Sequence, residues 1–168
     1  MAIDYRVLPI NLINNYIWDL ARGEVAGVEA LPVEVWDTSG YAQKPIFPIH
    51  ENQGTATDGS QPFMLYDYLF ADMHGTMYEI NCERAILTIV APTPGQLYAI
   101  KNFIYDNLNQ LDATAQAINS HVGNDSIKFK YVKCTQDLFV MQELKQTERS
   151  FAPKFASTLG LYYDYTRS

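Results

Sequence analysis

The chain has 168 residues, 48% of them hydrophobic and 18% charged, a composition that predicts one globular domain able to bury a sizeable core without staples. Its net charge of −7 argues against affinity for a phosphate backbone, which needs clustered Lys and Arg, though not against lying near DNA without gripping it. No apolar run approaches the roughly 20 residues of a membrane span. The opening MAIDYR is no signal peptide, and Cys82 and Cys134 are too few for a disulfide framework, so cytosolic folding with two buried thiols is expected.

Residues 9 to 22 (PINLINNYIWDLAR) predict an amphipathic helix, with Pro9 at its start and Gly23 ending it. Ile13, Tyr16, Ile17 and Leu20 form its apolar stripe, and Trp18 sits toward one flank. Such a helix docks on the sheet, or packs partly on a neighbouring subunit through Trp18. Residues 23 to 44 are turn-rich and irregular, with Val33 to Trp36 as a short strand. Trp36 is either a plug over the core or an anchor for a partner, and the plug is favoured. PIFPIHE (45 to 51) reads as strand, but Pro45 and Pro48 cannot donate ladder hydrogen bonds and confine it to an edge or to the start of the sheet. ENQGTATDGSQP (51 to 62) is small and polar, too poor in apolar surface to order itself, and is expected as a mobile loop. It would either carry contacts with another body or idle as a connection.

The stretch from Gln61 to Leu111 organises the rest. Residues 63 to 70 are rich in Phe, Leu and Tyr, residues 76 to 90 in Tyr, Ile, Thr and Val, and the two runs meet at Asp72-Met73-His74-Gly75. Tyr78, Ile80 and Cys82 alternate with Glu79, Asn81 and Glu83, so one face is wet there, whereas Ala85 to Val90 is apolar on both faces. One side of that strand would carry the long helix; the other would carry the N-terminal helix or another subunit. The long helix begins at Pro94 behind Thr93 as N-cap, with Gln96 completing a capping box, and buries Leu97, Ile100, Ile104, Leu108 and Leu111. It ends near Leu111, or runs on to Ser120 through Ala115 and Ile118; Asn109 and Asp112 invite a break, with Asp112 as a second N-cap. HVGNDS (121 to 126) is a turn. IKFKYVKC (127 to 134) sets Ile127, Phe129, Tyr131 and Lys133 against Lys128, Lys130, Val132 and Cys134, a strand with a basic wet face. Residues 136 to 149 fit strand and short helix equally, and STLGLYYDYT (157 to 166) is a closing strand. The whole predicts a single α+β domain over 1–168, one mostly antiparallel sheet with two main α-helices packed on it.

No catalytic constellation, cofactor motif or metal site is found. His50, His74 and His121 lie in or beside predicted loops, no Cys/His pair has metal-site spacing, and His50-Glu51 with Asp58 is a poor metal cluster. There is no G-x-S-x-G and no phosphate-cradling glycine loop. Glu79 and Glu83 are about 13 Å apart along a strand, too wide to work as a pair. Asn124-Asp125-Ser126 is an incidental glycosylation sequon.

The order of Ile10 to Arg22, Pro62-Phe63-Met64-Leu65-Tyr66, Glu83 to Val90 with the helix from Pro94, and Leu161 to Thr166 resembles the tail terminator (tail completion) proteins of long-tailed bacteriophages. Residues 121 to 160 have no counterpart in that order. The resemblance implies a non-enzymatic virion protein, assembled in the host cytoplasm and placed at the tail–neck junction. There it would be a subunit of a ring, typically six-fold, that caps the tail tube and joins it to the head connector or neck proteins. DNA would pass through without specific binding, which the acidic net charge suits. It further implies that Glu51, Gln53, Thr55, Asp58 and Gln61 reach a neighbour or the lumen, and that Trp18, Trp36 and Tyr41 sit near subunit contacts. Two other classes fit the composition. One is a protein-binding module acting through a Tyr-rich surface without ring assembly, since the chain has 12 tyrosines. The other is a small enzyme or ligand-binding domain, for which no sequence sign is found.

Overall fold

A computed structural model describes residues 8–41, 43–49, 61–72, 80–136, 142–144 and 154–167. Three helices, α1 (Pro9–Ala21), α2 (Pro94–Leu108) and α3 (Asp112–Val122), accompany strands β1 (Ile46–Pro48), β2 (Phe63–Asp72), β3 (Ile80–Ala91), β4 (Ile127–Gln136), β5 (Gln142–Leu144) and β6 (Lys154–Arg167). The strands form one mixed sheet in the order β1-β2-β3-β6-β4, and β5 pairs with β6 beyond the point where β4 leaves it. Among the described residues only β1 and β2 run parallel; the other pairings are antiparallel. The predicted α+β class, with its mostly antiparallel sheet, is what forms.

Register assigns the faces. Leu87 stands opposite Leu159 and Tyr66, and Ala85 opposite Leu161, which in turn faces Cys134. These side chains join α1, α2 and α3 in one apolar core. The alternate positions carry Thr88 opposite Leu65 and Thr158, Ile86 opposite Asp67 and Gly160, and Arg84 opposite Tyr162, which faces Lys133. Among the described residues all three helices lie on the first face. The N-terminal helix therefore shares a side with the long helix, and among the described residues no helix covers the second face.

Local chemistry explains the element ends. The Thr93 hydroxyl accepts the Gln96 amide at 3.3 Å and caps α2, while the Gln96 side chain meets that hydroxyl at 3.0 Å. The break after Leu108 is real, and α3 is a separate helix. Asp112 is its first residue and not its cap; Leu111 takes the cap position at φ +55, its side chain turned outward instead of extending the α2 stripe. The Thr114 hydroxyl accepts the Gln110 amide at 3.0 Å and supports the corner. At the far end Gly123, at φ +59, closes α3, and the Asn124 side chain accepts the amides of Ser126 and Ile127.

Three expectations need correction. Residues 33 to 36 are not strand: the amides of Val35 and Trp36 both bond the Pro32 carbonyl in a tight turn that swings Trp36 inward. The strict alternation along 127–134 fails at a register shift between Phe129 and Tyr131, so Val132 and Cys134 join Ile127 and Phe129 in the core while Tyr131 and Lys133 face the other way. The wet face at the start of β3 is also reversed. Ile80 lies on the helix-free face at 37% exposure, while Glu83 turns toward the helix side and accepts the Tyr165 hydroxyl at 2.6 Å. Of the turn expected at 72–75, Asp72 is the last residue of β2 and residues 73 to 75 lie outside the described residues, as does Glu79.

The corner at Leu111 gives a sharp expectation. A non-glycine residue at such a φ stores on the order of 1–3 kcal/mol, so Leu111→Gly should leave the urea midpoint unchanged or raise it. Leu108→Ala, at a fully buried site one turn earlier, should lower stability by about 2–5 kcal/mol. A marked loss in the glycine variant would contradict the strained corner.

Candidate assembly surface

The sequence-predicted contact residues fall into two groups. Trp18, Trp36 and Tyr41 come together as an internal brace: Trp18 meets Trp36 edge-on at 5.4 Å and Tyr41 at 5.6 Å. Trp36 is 1% exposed, its Nε1 donates to the Tyr41 hydroxyl at 2.8 Å, and that hydroxyl donates to the Pro62 carbonyl. The plug reading of Trp36 describes its place within the chain. The brace ties the irregular segment after α1 to the first residue before β2, so α1 is buried on nearly all sides and not along one stripe. Gln61 is half-buried beside Pro62; Glu51, Gln53, Thr55 and Asp58 lie outside the described residues, as does His50.

Polar groups inside the fold have structural roles. The Lys101 ammonium, buried between α2 and β6, donates to the Ser157 hydroxyl at 2.8 Å. Asn119 grips β4 through both the carbonyl and the amide of Phe129. His121, on α3, meets Asp19 of α1 at 2.8 Å, and Arg22 joins Asp19 at 2.7 Å and Glu24 at 2.6 Å. Partial burial pushes the Asp19 carboxyl up, but the hydrogen bonds from His121 and Arg22, with their charge, outweigh it and hold the group below its ordinary value. Burial, then the bond to Glu83, raises the Tyr165 phenol. Among the described residues no three metal-ligating side chains converge, and no helix is long and apolar enough to cross a membrane.

The second face of the sheet is the largest feature that sequence reasoning left open. At one end Phe47, Phe63, Val90 and Ala156 form a small buried cluster with Leu65 against it. Toward the other end Ile80 and Tyr162 are exposed, and the Arg84 guanidinium sits 5.1 Å over the Tyr162 ring. That end of the face thus mixes apolar, aromatic and charged side chains. Comparison with models of known protein families gives no match to this chain, and comparison with curated proteins gives none either.

Two outcomes check this description. Tyr41→Phe leaves both the Trp36 N–H and the Pro62 carbonyl short of a partner and should cost about 1–3 kcal/mol in urea unfolding. Because the Asp19 value is depressed in the folded chain, its contribution is full above the ordinary carboxylate range and is lost as pH falls through the folded value. Stability measured from about pH 5 to about pH 2 should therefore decline less in Asp19→Asn than in the parent.

Proposed function

We propose that the chain is a structural virion protein, one subunit of a ring, six-fold by family resemblance, that caps a phage tail tube and joins it to the head connector. The observation that carries this reading is the placement of α1. The apolar stretch Ala85 to Val90 called for cover on both sides, by the N-terminal helix or by another subunit, and α1 packs on the side α2 already occupies. Among the described residues the face without helix cover bears Ile86 and Tyr162 beside Arg84, while Leu65 packs on the buried cluster at its other end. The net charge of −7 supports a lumen that DNA crosses without adhering. In this reading residues 51 to 61 contact a neighbour or line the lumen, and the Trp18–Trp36–Tyr41 brace fixes the wall from which that segment departs.

Purified protein offered to isolated tail tubes should decorate their ends in negative-stain images, and deletion of residues 53 to 59 should abolish joining to heads while leaving the circular dichroism spectrum unchanged. A full-length chain that ignores tube ends, yet forms a complex of fixed stoichiometry with a cellular protein, would replace the ring reading with that of a binding module.

A further inference from the structure

Positive charge gathers at one edge of the sheet. The outermost strand, β4, carries Lys128, Lys130 and Lys133 with no acidic residue, and the two latter lysines are exposed. In register beside it lies the row Lys133–Tyr162–Arg84, with Tyr162 38% exposed. None of the three lysines forms a salt bridge among the described residues.

The opposite charge is elsewhere. Residues 23 to 43 contain Glu24, Glu29, Glu34 and Asp37 and no Lys or Arg. This segment is anchored near the start of β2 by Tyr41 on Pro62 and near the start of α2 by Gln96 on the Glu34 carbonyl. β2 and β4 lie three strand positions apart, about 14 Å across the sheet. Within the chain Glu24 is engaged by Arg22, and Asp37 caps Ser39. Glu29 and Glu34 are exposed and form no ion pair among the described residues.

We infer that the basic β4 edge of one copy receives the acidic 24–37 segment of the next, head to tail. The inference rests on the ring reading and names the surfaces that would close it. Two different complementary patches on one chain make a heterologous contact, which generates a ring when the rotation closes. The contact runs through side chains: edge lysines oppose strand addition, and the other edge is blunted by the three-residue β1 with its prolines. Charge of this kind fixes orientation and register, and the neighbouring Tyr162 and Ile80 supply apolar surface.

The test uses two double reversals, K130E/K133E and E29K/E34K, each checked for an unchanged circular dichroism spectrum, with assembly read by light scattering. Each alone should weaken self-association by about tenfold or more at low salt. An equimolar mixture should restore it, because every junction of an alternating ring is then complementary, and so should one chain carrying all four changes. Raising salt from about 50 mM to about 500 mM should weaken the parent assembly. A parent that assembles while both reversals leave assembly unchanged overturns this inference and spares the ring reading. So does a lysine reversal that abolishes binding of duplex DNA but not assembly, which would give the edge to a polyanion. A parent that stays monomeric with or without tube ends overturns both.

Discussion

The antiparallel ladder between β3 and β6 is the constraint on which the rest depends. It runs from Ile80 opposite Thr166 to Ala91 opposite Phe155, joining a strand in the middle of the chain to the last one. Closing so long a loop is entropically costly, and what rewards it is the burial of Leu87, Ile89, Leu159 and Leu161 beneath the helices. Because β6 inserts between β3 and β4, everything from α2 to β5 is one excursion whose two ends are pinned to the same ladder. α2 rides on β3, β6 and β4, and its Lys101 bonds Ser157 on β6.

From that ladder the asymmetry of the molecule follows. The sheet has two faces but among the described residues the helices crowd onto one, with α1 sealed there by the Trp18–Trp36–Tyr41 brace and tied to α3 through Asp19 and His121. The density of that side has a cost. Asn14, on the most buried helix, is 1% exposed, and among the described residues neither of its amide atoms has a hydrogen-bond partner. The other face mixes apolar, aromatic and charged side chains, with no helix over it among the described residues.

Much of the fold was legible because hydrophobic period and capping chemistry agree locally. Pro9, Gly23 and Thr93-Pro94 mark helix ends by backbone rules that need no tertiary context. Prolines 45 and 48 announced an edge strand, and β1 is one. What could not be read came from tertiary choices. A bulge at Phe129/Tyr131 moves Tyr131 and Lys133 off the core face and brings in Val132 and Cys134, and a single sequence carries no periodic sign of it. The inward turn of Glu83 depends on Tyr165, 82 positions away. Trp36 is buried as a plug, but its partner Tyr41 is a loop residue whose hydroxyl acts only once Pro62 is brought beside it. Of the contact residues expected from the family resemblance, Trp18, Trp36 and Tyr41 brace one another within the chain, Gln61 precedes Pro62 in sequence, and Glu51, Gln53, Thr55 and Asp58 lie outside the described residues.

Assembly through the surfaces the fold leaves without helix cover is the central claim, and the mass of the particle in solution bears on it most directly. Light scattering on a sizing column, with negative-stain images of the same peak, should give a closed ring of about six subunits, the symmetry closed heterologous contacts produce. A monodisperse monomer that also fails to close into a ring on the end of a tail tube would contradict it.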